Sequence, residues 1–235
     1  MSRRVLIAFP FAGAGASMFR PWLAALQPRY EVFAVQLPGR EQRFAEPAFT
    51  RVEEAIDHVL PEVLARVAGA AEVVVFGHSM GAVLAFELAR RLAAAAHAPA
   101  CRLVVSGSPS PTRPRAVEAS GLGDDAFIAQ VERFAGYTHE ALMEPELREL
   151  LLPTLRADVE MHERYARHDD APIPFPIAVV RGRDDTLVTE DEARAWQDVT
   201  REALEYIELR GGHMYLADDP SELMGVLTRP LGATA

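Results

Sequence analysis

The stretch Glu72–Ala96, EVVVFGHSMGAVLAFELARRLAAAA, decides the fold of this chain. Its first five residues are mainly β-branched or aromatic, which predicts a buried strand over Glu72–Phe76. The part from Gly81 onward is rich in alanine and leucine, which predicts a helix. Between the two lies Gly77-His78-Ser79-Met80-Gly81, a G-x-S-x-G motif. A serine between two glycines at a strand-to-helix turn is typical of a nucleophile elbow, so Ser79 is the predicted nucleophile.

Apolar runs alternate with helical patterns on both sides of this stretch, which is typical of a parallel sheet flanked by helices. The other predicted strands are Arg4–Phe9, Glu31–Gln36, Arg102–Ser106, Ile177–Arg181 and Glu205–Leu209. Helices are predicted near Ser17 and at Thr50–Val67, Gly81–Ala96, Glu190–Thr200 and Ser221–Thr228. We therefore expect an α/β fold with a mainly parallel sheet of about six or seven strands.

The segment Pro109–Pro176 interrupts the alternation. It begins within the proline-rich run SPSPTRPR, which excludes regular structure there, and helical patterns follow at Asp124–Phe134 and Pro145–Arg167. We interpret this segment as a helical insertion within one domain that covers residues 1–235. In an α/β enzyme such an insertion predicts a lid, and a purely structural cap is the alternative.

Composition excludes several functional classes. A chain of 235 residues with 49% hydrophobic and 25% charged residues is an ordinary globular protein. The 24 Lys and Arg residues against 34 Asp and Glu residues give a net charge of −10, which disfavours binding to nucleic acid and to anionic membranes. The single cysteine, Cys101, excludes an internal disulfide and a cysteine-based zinc site, and we expect it in the core.

The N-terminus resembles a targeting signal, because Arg3-Arg4 precedes the apolar run VLIAFPFAGAGA. A buried strand followed by a glycine-rich loop explains the same residues, and we favour that interpretation. No other apolar run approaches the roughly 20 residues of a membrane span. We expect a cytoplasmic protein.

The serine requires a base, and the chain has seven histidines. His78 is too close to the predicted turn, while the others that lie in helical or helix-end patterns are expected in solvent: His58, His97, His139, His162 and His168. His213 differs because it stands in Gly211-Gly212-His213, directly after the last predicted strand. That position is the carboxyl edge of the sheet, where active sites of open α/β folds assemble.

An acidic side chain must orient the histidine, and two aspartates follow the fifth predicted strand. Asp184 and Asp185 are both placed to serve, and the residues around them leave the choice open. Either one gives the chain order Ser, Asp, His, which is the order found in α/β-hydrolases.

An oxyanion hole needs two backbone amides. The Met80 amide is the first, and the loop after the first strand supplies the second from Phe11 or Ala12. The same loop is also compatible with a dinucleotide site, but Met18 stands where a third glycine would be needed, and Gln36-Leu37-Pro38 holds no ribose-binding acid. His162, Glu163, His168 and Asp169 match no metal-binding spacing and predict a solvated charged face. We expect neither a cofactor nor a metal.

The chain resembles the type II thioesterases, discrete α/β-hydrolases that accompany polyketide synthases and nonribosomal peptide synthetases. The resemblance rests on five runs, FPFAG (9–13), QLPGRE (36–41), FGHSMG (76–81), LPTLRAD (152–158) and GGH (211–213). It implies a triad of Ser79, Asp185 and His213, because Asp185 with Gly182 and Val188 matches the family pattern Gly-x-x-Asp-x-x-Val. Asp184 is the second choice.

The resemblance also implies an editing role, the hydrolysis of aberrant or stalled acyl groups from the phosphopantetheine arm of acyl or peptidyl carrier proteins. Carrier domains are usually acidic, so a chain of net charge −10 predicts a weak, transient encounter. We expect a monomer. Three alternatives remain: a carboxylesterase for small esters, a dedicated product-release thioesterase and a non-catalytic scaffold. Release thioesterases are usually fused to a synthase, whereas this chain looks like a free domain.

Overall fold

The computed structural model describes residues 2–95, 100–113, 119–135, 140–168 and 170–229. Six strands form one sheet in the order β2-β1-β3-β4-β5-β6, and every neighbouring pair is parallel. The strands are β1 Arg4–Phe9, β2 Glu31–Ala34, β3 Glu72–His78, β4 Cys101–Ser106, β5 Ile177–Gly182 and β6 Glu205–Leu209. The predicted α/β fold with a parallel sheet is confirmed.

The helices connect these strands. They are α1 Leu23–Leu26, α2 Val52–Val67, α3 Met80–Ala93, α4 Asp124–Ala135, α5 Pro145–Arg164, α6 Glu190–Arg194, α7 Tyr215–Asp218 and α8 Ser221–Leu227. The helix predicted near Ser17 is instead a 3-10 segment, Ala16–Trp22, that contains Pro21, a residue without an amide hydrogen. Ala96, where the α3 prediction ended, lies outside the described residues. Across the described ranges, no helix is long and apolar enough to cross a membrane.

Helices cover both faces of the sheet, which explains why its strands are almost entirely apolar. Successive side chains of a strand point to opposite faces. In β3, Val73 and Val75 therefore pack with α2 and α3, while Val74 and Phe76 pack with α8 and the 3-10 segment. Cys101 lies in the first of these two clusters, as expected.

The segment between β4 and β5 holds α4, a short 3-10 turn at Glu140–Leu142, and α5. Its helices have an apolar cluster of their own, which includes Phe127, Leu142, Leu152 and Leu155. In the described residues of this segment there is no strand, although Ile173 forms an isolated bridge with Thr200. The two helices predicted here are present, and both contribute to the cavity described below.

Candidate active site

Ser79 occupies a strained turn between β3 and α3. Its φ of 53° and ψ of −119° lie outside the regions that non-glycine residues favour, a strain of about 1–3 kcal/mol. Gly77 and Gly81 make the turn possible. A Cβ on Gly77 would overlap the Gly81 carbonyl oxygen, and a Cβ on Gly81 would lie 2.7 Å from the carbonyl oxygens of Phe9 and Pro10. The turn thus has the geometry that the motif predicts.

His213 is joined to Asp185, since its Nδ1 lies 2.9 Å from Asp185 Oδ2. The other carboxylate oxygen of Asp185 accepts hydrogen bonds from the amides of Leu187 (2.8 Å) and Val188 (3.2 Å). Burial acts to raise the pKa of Asp185, but the bond and charge of His213 and the two amides outweigh burial, and the pKa is lowered. Asp185 therefore presents a carboxylate to His213. The alternative, Asp184, is exposed to solvent.

Ser79 and His213 line one cavity of about 480 Å³. The loop after β1 forms one wall of the cavity, and α4 and α5 contribute the apolar side chains Val131, Leu151, Leu155 and Val159. Considering the described residues alone, no hydrogen bond joins the Ser79 hydroxyl to His213. Such bonds are often long in enzymes without substrate and shorten when the substrate binds.

Three residues predicted to supply oxyanion amides, Phe11, Ala12 and Met80, line the same cavity as Ser79. Met80 is the first residue of α3, so its amide has no partner within the helix. The Phe11 carbonyl accepts the Ala14 amide at 3.0 Å and forms a tight turn, whereas the amides of Phe11 and Ala12 have no acceptor in the part of the chain that is described. All three residues line the cavity together with Ser79. The arrangement can accommodate the negative charge that forms when a serine attacks a carbonyl carbon.

Comparison with known proteins settles the family, because a model of the thioesterase domain matches residues 4–229. The chain belongs to the thioesterase family. It is a hydrolase that acts on thioesters, and the resemblance noted from its motifs is confirmed.

Several known proteins are similar to this thioesterase over nearly its whole length. The gramicidin S biosynthesis protein GrsT of Aneurinibacillus migulanus is 32% identical, over 96% of this chain and 88% of that protein. The solved type II thioesterase BorB from the borrelidin biosynthetic cluster is 36% identical, with a TM-score of 0.86 over 96% of this chain and 91% of its own. The type II thioesterase YbtT of the yersiniabactin pathway is 26% identical, with a TM-score of 0.85 over 97% of this chain and 92% of its own. YbtT has also been solved as a mutant in which one serine is replaced by alanine.

A second polar network in the thioesterase lies beneath His213, and sequence reasoning did not find it. His78 is buried, and its Nδ1 lies 2.9 Å from the Ser106 hydroxyl, which in turn lies 2.7 Å from the Tyr215 hydroxyl. Burial and the nearby His213 hold the pKa of His78 well below its usual value, so His78 is neutral. The available signal in the sequence was the position of His78 between Gly77 and Ser79. That position served above only to exclude His78 as the general base.

The expectation of a solvated charged face around His162 and Glu163 is wrong. Glu163 is buried, and its carboxylate accepts the amides of Ala119 (2.7 Å) and Ser120 (3.0 Å). Both His162 and Glu163 line the cavity of the thioesterase. The helical pattern could not show this, because the amides that bond Glu163 belong to residues more than 40 positions earlier in the chain.

Other reactive groups do not belong to this site. Cys101 is buried, and burial raises the pKa of its thiol to about 12. His168 is exposed and bonds to Glu53 at 2.9 Å, and His58 is exposed and contacts Arg43. His97, His139 and Asp169 lie outside the described residues. In the remainder, no group of three or more His, Cys, Asp or Glu residues is placed to hold a metal ion.

Proposed function

We propose that this thioesterase hydrolyses acyl thioesters with Ser79 as nucleophile, His213 as general base and Asp185 as the residue that orients His213. The observation that carries the proposal is the 2.9 Å bond between His213 and Asp185 at the wall of the cavity that also contains Ser79. The thioester carbonyl enters this cavity, and the acyl chain lies along the apolar residues of α4 and α5.

In the first half-reaction His213 takes the hydroxyl proton of Ser79 while the serine oxygen attacks the carbonyl carbon. The carbonyl oxygen becomes an oxyanion that accepts hydrogen bonds from the amide of Met80 and from that of Phe11 or Ala12. The C–S bond then breaks, and the thiolate leaves easily because a thiol is a stronger acid than an alcohol. Protonated His213 returns its proton to the sulfur, and an acyl-serine ester remains.

In the second half-reaction His213 removes a proton from water, and the water oxygen attacks the acyl-serine carbonyl. The same amides hold the second oxyanion. Its collapse breaks the bond to the serine oxygen, which takes the proton back from His213. The carboxylic acid departs and the enzyme returns to its starting state.

We further propose that the substrate is an acyl group on the phosphopantetheine arm of a carrier protein in a polyketide or nonribosomal peptide pathway, and that the reaction removes aberrant or stalled groups. The proposal is supported by YbtT, which belongs to the yersiniabactin NRPS/PKS biosynthetic pathway, and by GrsT and BorB, which belong to gramicidin S biosynthesis and to the borrelidin biosynthetic cluster. The net charge of −10 favours a weak, transient encounter with an acidic carrier protein. The protein acts as a monomer with the α4–α5 segment as its lid.

The test compares acetyl, propionyl and octanoyl groups on a carrier protein with the same groups on coenzyme A and in p-nitrophenyl esters. Ser79→Ala is the control, and sedimentation velocity measures the oligomeric state. We expect turnover that depends on Ser79, with a higher kcat/KM for carrier-bound short chains than for either small substrate. Equal turnover of simple esters would overturn the carrier assignment in favour of a carboxylesterase. Unchanged turnover by Ser79→Ala would overturn the mechanism.

A further inference from the structure

We propose that Arg40 and Asp158 are positioning residues that hold the oxyanion loop, residues 11–17, in its catalytic conformation and connect it to helix α5. The proposal rests on the proposed function, because it assigns a task within the same reaction. It concerns two of the motif runs in the sequence, QLPGRE (36–41) and LPTLRAD (152–158), which the triad leaves without a role.

Arg40 and Asp158 meet in a buried ion pair although 118 positions separate them. The Arg40 guanidinium donates two parallel bonds to the Asp158 carboxylate, Nη1 to Oδ2 at 2.6 Å and Nη2 to Oδ1 at 2.7 Å. The side chain of Arg40 is 7% exposed and that of Asp158 is 0% exposed. Burial of two charges costs desolvation free energy unless further hydrogen bonds satisfy their remaining donors and acceptors.

Those further hydrogen bonds come from the oxyanion loop. Asp158 Oδ2 accepts the Gly13 amide at 2.8 Å, and Arg40 Nη1 donates to the Ala14 carbonyl at 3.0 Å. The ion pair therefore binds the amide of the Ala12–Gly13 peptide and the carbonyl of the Ala14–Gly15 peptide. Gly13 directly follows Ala12, one of the two residues proposed to donate the second oxyanion bond.

The rest of the QLPGRE run holds the same loop further along. Gln36 accepts the Ala16 amide at 3.2 Å, and Glu41 accepts the Ser17 amide at 3.1 Å. Glu41 itself has a φ of 48°, a strained value for a non-glycine residue. Side chains of one run thus bond the loop at three successive places, which fixes a glycine-rich segment that has few restraints of its own.

The pair also connects the loop to the proposed lid. Asp158 belongs to α5, whose neighbouring residues Leu155 and Val159 line the cavity. A displacement of α5 therefore moves the Gly13 amide and, through it, the amides of Phe11 and Ala12. We infer that the oxyanion donors reach their productive positions only when α5 is seated on the loop.

The test uses Asp158→Asn, which keeps the shape of the side chain but removes its charge. Two inhibitors separate the possible effects. A trifluoromethyl ketone of a short acyl chain adds to Ser79 and forms an oxyanion, and the corresponding thioether occupies the cavity without forming one. We expect kcat to fall and the ketone Ki to rise by about 10- to 100-fold together, while KM and the thioether Ki stay within about two-fold.

Asp124→Asn is the matched control, because it removes an ion pair that Arg156 of the same helix α5 makes with α4 at 2.8 Å, away from the oxyanion loop. It should leave both inhibitors unchanged. If Asp158→Asn does not fold, the double variant Arg40→Met with Asp158→Leu fills the same space without buried charges, and the same pattern of inhibition is expected.

Two results would overturn the inference. One is an equal weakening of both inhibitors, which would mean that the pair only shapes the cavity. The other is an unchanged ketone Ki and kcat in the folded variants. If instead the ketone fails to inhibit the wild-type protein and Ser79→Ala keeps full turnover, the proposed function itself has failed, so the two failures are distinguishable.

Discussion

The imidazole rings of His78 and His213 lie with their centroids 5.0 Å apart and their planes tilted by 49°. His213 is thus held between the Asp185 carboxylate and a second imidazole that is buried and neutral. A neutral neighbour matters because His213 becomes positively charged during the proposed reaction. A charged His78 would repel that imidazolium at close range.

The neutral state of His78 predicts a pH dependence of stability. In the unfolded chain its pKa is about 6.5, and in the folded protein it is well below this value. Between these two pKa values the unfolded state binds a proton that the folded state does not. The free energy of unfolding should therefore decrease by about 1.4 kcal/mol per pH unit as the pH falls below about 6.5.

Urea denaturation at pH 7.5, 6.5 and 5.5 of the wild type and of His78→Gln measures this dependence. Glutamine can still bond to Ser106 and does not titrate. We expect the difference between the two proteins to shrink toward acidic pH, with the wild type losing more stability. If the free energies of unfolding of the two proteins change equally with pH, His78 is not the source of the pH dependence.

Gly107 is predicted to be essential for the placement of both histidines. Its φ is 55°, and a Cβ there would lie 2.5 Å from His78 Cε1 and 3.2 Å from His213 Cε1. Gly107→Ala should lower the free energy of unfolding by about 1–3 kcal/mol and displace His213 from its bond to Asp185. The midpoint temperature of thermal unfolding and kcat should both fall. Gly121→Ala, at a glycine with no atom near the added Cβ, should change stability by less than about 0.5 kcal/mol.

Asp185 and its neighbour Asp184 offer a matched pair of substitutions. Asp185→Asn replaces the carboxylate that bonds His213 Nδ1, so the histidine loses its orientation and its charge partner. We expect kcat to fall by about 10²- to 10⁴-fold. Asp184→Asn alters an exposed side chain and should leave kcat within about two-fold. Steady-state kinetics with one thioester decides, and the reverse ranking would assign the role to Asp184.

The apolar wall of the cavity predicts control of acyl chain length. Val159 of α5 is buried and lines the cavity, so Val159→Phe adds volume inside it. We expect kcat/KM for an octanoyl thioester to fall at least about 10-fold more than kcat/KM for an acetyl thioester. One methylene group in a hydrophobic pocket changes kcat/KM by about 10- to 200-fold. Leu147→Phe, on the same helix at a residue 44% exposed and outside the cavity wall, is the control and should change neither value. Equal losses for both substrates would contradict the prediction.

The sequence by itself determined the elements of this fold. Both faces of the sheet are covered by helices, so most strands are short apolar runs that stand out from the helical patterns around them. The glycines of the G-x-S-x-G motif predict a sharp turn between a strand and a helix, and the serine at the centre of this turn is Ser79. His213 followed because the residues after a parallel strand lie at the edge of the sheet where active sites form. These features depend on patterns within a few neighbouring residues.

The tertiary structure decided the features that depend on contacts between distant residues. Asp184 and Asp185 are adjacent in sequence, and only the path of the loop after β5 buries one beside His213 and leaves the other in solvent. Glu163 lies in a charged helical pattern but is buried, and its carboxylate accepts two amides from before α4. The bond between Arg40 and Asp158 joins two motif runs 118 positions apart. Charged side chains carry no periodic signal for such pairs, since their burial is decided by the partners that folding brings to them.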